Sequence, residues 1–97
     1  MPGSNVVFAA QSGQAANRGQ SVLVTLDLTD QAKLTTIKVG DEAINGNSGN
    51  VGYVSEIDIL GGTLKIKPQY PYSDFSSDLN PLGSIMTEGT AVNVTTN

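Results

Sequence analysis

Residues 55–67 read SEIDILGGTLKIK, and this stretch decides the class of fold. Apolar and polar side chains alternate on both sides of Gly61-Gly62, which is the pattern of two half-buried strands. Two consecutive glycines are typical of a two-residue hairpin turn, because that turn needs positive φ angles. The stretch therefore predicts an antiparallel hairpin.

The two-residue turn also fixes the register of this hairpin. It places Asp58 opposite Lys65 and Glu56 opposite Lys67, so that opposite charges pair across the strands. We therefore assign both carboxylates a structural role and do not interpret them as a catalytic pair. The other face of the predicted hairpin carries four apolar side chains: Ile57, Ile59, Leu64 and Ile66.

Further strands are predicted on both sides of the hairpin. Residues 22–28 alternate with a period of two, and residues 34–39 form a second strand after a four-residue loop or one helical turn at 30–33. Two short strands, 84–87 and 90–95, close the chain. Several short strands with frequent turns predict an all-β fold, a small β-sandwich or barrel of six to seven short strands.

The first 20 residues differ from the rest of the chain. Residues 11–20 contain no large apolar side chain, so they cannot bury enough surface to offset their ordering entropy. We predict a flexible N-terminal arm over residues 1–20 and a β domain over residues 21–97. The arm is either a disordered tail or a segment that becomes ordered on a partner; a helix through residues 14–17 is a third reading.

The residue types that are missing exclude several functions. The 97 residues suffice for one domain, and they include neither histidine nor cysteine. Ser-His-Asp and Cys-His catalysis, thiolate zinc sites and disulfides are therefore absent. Paired carboxylates or a lysine nucleophile are the remaining catalytic options, in a domain too small for a deep cleft. We expect a protein that is not an enzyme and that needs no cofactor.

Charge and hydropathy exclude two classes of partner. Five Lys and Arg residues against nine Asp and Glu residues give a net charge of −4, and the lysines are scattered. A nucleic-acid partner is not expected, because such binding needs clustered basic residues. Neither a membrane-spanning segment nor a signal peptide is recognisable. We therefore expect no membrane partner and synthesis in a cytoplasm.

The segment 40–52 is rich in Gly and Asn and is predicted to be a loop. Oxygen atoms of the kind that bind calcium are supplied by Asp41, Glu42, Asn45, Asn47 and Asn50, but the spacing is not that of an EF-hand. Asn45-Gly46 is an ordinary turn signal. A solvated loop is the prediction, and a calcium site over 41–50 is the alternative.

Residues 69–75, QYPYSDF, hold three of the five aromatic side chains of the chain. Aromatic rings on a proline-stiffened loop offer rigid contact area at little entropic cost. The rings either plug the open end of the barrel, contact a protein partner or stack on sugar rings. The sugar interpretation is weakened by the absence of Trp.

The end of the chain resembles lambda-type head decoration proteins of phages. Residues 89–94, GTAVNV, look like the Gly-Thr-Ala-apolar strand that finishes that fold, and residues 50–54, NVGYV, look like its Val-Gly-apolar strand start. More loosely, residues 50–94 are similar to small tailed-phage structural proteins in which a Gly-Gly hairpin precedes a Pro-rich loop. The Tyr-Pro-Tyr loop departs from the lambda-type pattern.

The resemblance implies a capsid decoration, or cement, protein. Such a protein binds the outside of an expanded phage head, as a dimer or trimer, and stabilises the contacts between capsomers. Its partner would be the major capsid protein and its location the virion surface, after synthesis in the host cytoplasm. The expected contact residues are Val6, Val7, Phe8 and Arg18 in the arm, and Tyr70, Tyr72 and Phe75 in the aromatic loop.

Two other classes of function stay open. A carbohydrate-binding module of a phage tail or cell-surface protein would use the Tyr-Pro-Tyr loop. A small adaptor or pilus-like subunit would use strand exchange, although it would need export.

Overall fold

The computed structural model of the chain describes residues 4–15, 20–69, 78–80, 83–86 and 88–96. A 3₁₀ helix spans Leu28–Thr36. The strands are β1 (Ser4–Ala15), β2 (Val22–Leu26), β3 (Glu42–Asn45), β4 (Val51–Asp58), β5 (Thr63–Pro68), β6 (Asp78–Asn80), β7 (Gly83–Met86) and β8 (Ala91–Thr96).

Six antiparallel strands close into a barrel in the order β1-β2-β5-β4-β3-β8 and back to β1. The long strand β1 makes this closure possible. Its residues 4–9 pair with β8, and its residues 10–14 pair with β2 on the opposite edge. A short β6–β7 hairpin continues the sheet where β7 pairs with residues 13–15. The predicted all-β class is confirmed, and the architecture is a barrel.

The barrel interior is filled by aliphatic side chains and one phenyl ring. Strand alternation sends every second residue inward, and the 3₁₀ helix adds Leu34. Among the residues whose burial the structure describes, the buried core contains Phe8, Ala10, Val22, Val24, Leu26, Leu34, Ile37, Ala43, Val54, Leu64, Ile66, Val92 and Val94.

The predicted division into a flexible arm up to residue 20 and a β domain after it is wrong for residues 4–15. These residues form β1, which is a wall strand of the barrel and contacts β2, β7 and β8. The prediction of a flexible arm rests on residues 11–20 alone, which lack large apolar side chains. Val6, Phe8 and Ala10 alternate inward just before that stretch and supply the apolar surface that holds the strand in place.

The hairpin over residues 55–67 is confirmed, but its predicted register is wrong by two residues. Asp58 pairs with Thr63, so the loop contains four residues, 59–62, and the Asp58–Lys65 pair does not form. Only Gly62 of the two glycines has a positive φ, +68°, whereas the predicted turn needs it at both. A slip of two keeps each side chain on its face, so Leu64 still points inward.

Two other segments differ from expectation. Residues 34–39 form no strand, because the chain enters the 3₁₀ helix directly after β2. The predicted loop at 40–52 contains the short strand β3, which pairs with β4 and β8. The two C-terminal strands, β7 and β8, lie where the sequence predicts them.

Candidate functional site

The predicted contact residues of the arm have three different environments. Phe8 is fully buried in the core, so its assignment as a partner anchor is wrong in this fold. Val6 is partly buried against the core, and Val7 is 46% exposed on the outer face of β1. Four other predicted contact residues lie outside the described residues: Arg18, Tyr70, Tyr72 and Phe75.

One end of the barrel exposes three large aliphatic side chains, which we call the apolar end patch: Leu28, Ile59 and Leu60. Leu60 is 99% exposed and Leu28 is 84% exposed, while Ile59 is half exposed. A buried aliphatic side chain gains about 1.5–3 kcal/mol relative to an exposed one. Exposing several together is a feature of surfaces that bind other proteins.

The start of the 3₁₀ helix and the β4–β5 turn bring this patch together. The backbone N–H of Leu26 donates to the carbonyl oxygen of Gly62 at 3.0 Å, which joins the end of β2 to the β4–β5 turn. The Gln31 side chain of the 3₁₀ helix lies against Gly62, in space that a Cβ atom there would occupy. Leu28 and Leu60 therefore project from adjoining segments at the same end of the barrel.

A cavity of about 230 Å³ on the outer surface of the barrel begins beside this patch. Across its floor Leu23 pairs with Lys65 and Lys65 with Glu56, in one row over three strands. The cavity is lined by Leu23, Glu56, Ile57, Asp58, Thr63, Leu64 and Lys65.

The two carboxylates that line this cavity have structural partners. Glu56 Oε2 lies 3.1 Å from Lys65 Nζ, and both side chains are substantially exposed. Asp58 Oδ1 accepts the backbone N–H of Gly61 at 2.9 Å and so holds the four-residue turn.

The acidic and amide side chains of residues 41–50 also serve local structure. Asp41, which is buried, accepts the backbone N–H of Lys38 through Oδ2 at 2.8 Å. Asn45 Oδ1 accepts the backbone N–H groups of Asn47 and Ser48, which fixes the turn after β3. Within the described ranges no group of three His, Cys, Asp or Glu side chains could hold a metal ion. The calcium alternative gains no support.

A second surface feature lies along β1, where the 3₁₀ helix replaces a neighbouring strand. Asp30 Oδ2 accepts the backbone N–H of Ala9 at 2.7 Å, and Lys33 Nζ donates to the carbonyl oxygen of Val7 at 2.9 Å. The two side chains also pair with each other at 2.9 Å. The Ala9 hydrogen bond, followed by that of Lys33, lowers the pKa of Asp30 below its ordinary value of 3.8, against the opposing effect of burial.

Comparison of the chain with protein-family models, with curated proteins and with solved structures finds no match. The class that the structure defines is therefore that of a small closed β-barrel. In the part of the chain that the structure describes, no helix is long and apolar enough to cross a membrane.

Sequence reasoning missed the apolar end patch. The alternation in SEIDIL placed Ile59 on the buried face, and the two-residue turn placed Leu60 inside the ladder. A signal is present in the sequence, since Asp58 and Gly61 are spaced as an Asx-type turn, which leaves Ile59 and Leu60 outside the strand pairing. Leu28 was likewise assigned to the end of a strand, whereas it begins the 3₁₀ helix.

Proposed function

We propose that the chain is a non-catalytic structural protein of a phage virion, a capsid decoration protein that binds the outside of the head and stabilises contacts between capsomers. The apolar end patch is the observation that carries this proposal. A chain of this size gains stability by burying every large aliphatic side chain that it can, yet Leu60 and Leu28 are left in water. A protein partner that covers them supplies the missing burial.

The rigidity of the patch favours an architectural role. The end of β2, which leads into Leu28, is joined to the β4–β5 turn by the Leu26–Gly62 hydrogen bond, and both segments belong to a closed barrel. A pre-organised apolar surface loses little conformational entropy on binding, so a small contact can still be tight. Around it lie exposed polar and charged groups, including the Glu56–Lys65 pair, which resemble the rim of an interface.

The resemblance at the two ends of residues 50–94 supports the same class. The Val-Gly start coincides with the beginning of β4, and the Gly-Thr-Ala ending leads into β8, the last strand of the barrel. Because residues 4–15 belong to the barrel, we transfer the proposed capsid contact from the arm to the apolar end patch. The major capsid protein remains the proposed partner, and a dimer or trimer the proposed assembly.

The test is co-sedimentation with expanded capsid shells of the phage that encodes the chain. Leu60→Ser should weaken binding roughly ten- to hundredfold, since each 1.4 kcal/mol of lost burial is about tenfold in affinity. Val39→Ser is the matched control, because Val39 is 63% exposed but lies outside the patch. If both variants bind as tightly as the unmodified chain, the patch is not the capsid contact. If none of the three binds, the major capsid protein is not the partner.

The carbohydrate-binding alternative depends on Tyr70 and Tyr72, which lie outside the described residues. It stays a prediction from the sequence.

A further inference from the structure

The first half of β1 has one paired edge and one open edge. Ala10 exchanges hydrogen bonds with Thr90 and Gly89 on the β8 side, so the even-numbered residues from 4 to 10 direct their N–H and C=O groups there. The odd-numbered residues direct theirs to the other side. On that side β2 reaches only to Ala9, where the N–H of Asp27 donates to the Ala9 carbonyl oxygen.

Two side chains substitute for the strand that is missing beyond Ala9. The carboxylate of Asp30 acts as a strand carbonyl toward Ala9, and the ammonium of Lys33 acts as a strand N–H toward Val7. Further along this edge, among the described residues, nothing bonds to the N–H of Val7 or to the N–H and C=O of Asn5. Such groups in a row can all be satisfied by another extended backbone.

We propose that this edge of β1 is a strand-pairing site for a second copy of the chain, and that Lys33 controls access to it. An antiparallel pair related by a two-fold axis at Val6 places Asn5 of one copy opposite Val7 of the other. It forms four hydrogen bonds, two on each side of the axis. One acceptor in each copy is the Val7 carbonyl oxygen, which Lys33 occupies in the single chain.

The side chains around the axis fit a second copy. Val6, which is only partly buried, meets Val6 of the other copy on the interior side of the sheet. On the outer side the half-exposed Val7 meets the small polar Asn5, and no like charges lie directly opposite. The same strand is therefore complementary to itself, which a two-fold interface requires.

The experiment measures the dimerisation constant of the full chain by sedimentation equilibrium. Lys33→Ala frees the Val7 carbonyl oxygen and should lower the dimer dissociation constant about tenfold, as expected for one to two additional backbone hydrogen bonds. Lys65→Ala is the matched control, because Lys65 has nearly the same exposure, 44% against 46%, and also pairs with a carboxylate. Circular dichroism checks that each variant is folded.

Two further variants locate the interface. Lys33→Gln retains a donor for Val7 and should behave as the unmodified chain. Asn5→Pro removes an N–H that points to the open edge, and it should return the Lys33→Ala variant to the monomer without opening the barrel. Equal dimerisation of Lys33→Ala and Lys65→Ala overturns the proposal, as does a Lys33→Ala dimer that survives Asn5→Pro.

Discussion

Asp30 and Ala9 are joined by a hydrogen bond of 2.7 Å that ties the 3₁₀ helix to the first strand across 21 positions of sequence. The acceptor is a carboxylate whose side chain is only 13% exposed, and the donor is a backbone N–H that no strand reaches. A charge-assisted bond in such a place contributes more to stability than an exposed ion pair does.

Replacing Asp30 by Ala should therefore lower the free energy of unfolding by about 1.5–3 kcal/mol, since the Ala9 N–H loses its acceptor. Urea denaturation followed by circular dichroism measures this loss. Glu56→Ala is the comparison, because it removes an exposed ion pair that is worth about 0–1 kcal/mol. Equal losses in the two variants would show that the Ala9 contact adds nothing.

The same carboxylate predicts how stability depends on pH. Because the pKa of Asp30 is lowered in the folded chain, the unfolded chain binds more protons between the folded value and 3.8. The contribution of Asp30 is fully present above 3.8 and is lost as the pH falls through the lowered value. Asp30→Asn keeps an oxygen acceptor for Ala9 but does not titrate there.

The test measures the urea midpoints of the unmodified chain and of Asp30→Asn from neutral to strongly acidic pH. Their difference separates the titration of Asp30 from that of the other carboxylates. The unmodified chain should have the higher urea midpoint, and this difference should shrink only at the acidic end of the pH range. A difference that is constant over the whole pH range contradicts the assignment.

Phe8→Ala should cost about 3–5 kcal/mol, because it leaves a large cavity among fully buried aliphatic side chains. Val7→Ala, one residue away on the outer face, should cost less than about 1 kcal/mol. Thermal unfolding of the two variants makes the comparison. A flexible arm over residues 1–20 predicts the opposite result, with no loss of stability from either substitution.

Gly62→Ala should destabilise the chain by about 1–2 kcal/mol, since an L-residue is disfavoured at φ +68°. An added Cβ atom would also displace the side chain of Gln31. The double variant Gln31→Ala/Gly62→Ala separates the two causes in a urea titration. If the double variant regains the full stability of Gln31→Ala alone, the backbone conformation is not the source of the loss.

The local alternation of apolar and polar residues was sufficient to predict several strands, but it was not sufficient to predict how the strands are connected. Period-two alternation located β2, β5 and the second half of β4, because half-buried strands require it. The turn at residues 59–62 could not be read from Gly61-Gly62 alone, because Asp58 competes for the Gly61 N–H and lengthens the loop.

The candidate site was harder to predict than the fold. Whether Leu60 is buried depends on the length of one turn, and whether residues 4–15 are ordered depends on partners far along the chain. The lack of large apolar residues in 11–20 predicts an arm, but β2 and β7 bind residues 12–15 through backbone pairing, which needs no particular side chain.

The pairing of β1 with β8, in which Ser4 lies opposite Thr96, has a consequence for the order of events during synthesis. During synthesis β1 receives its β8 partner only after β2 to β7 have been made. Until then Phe8 lacks the wall of the barrel that covers it, and the nascent chain holds an incomplete core. Such long-range closure makes folding slow relative to proteins built from local contacts. Strong overexpression should therefore favour aggregation of unfinished chains, and slower translation should raise the soluble yield.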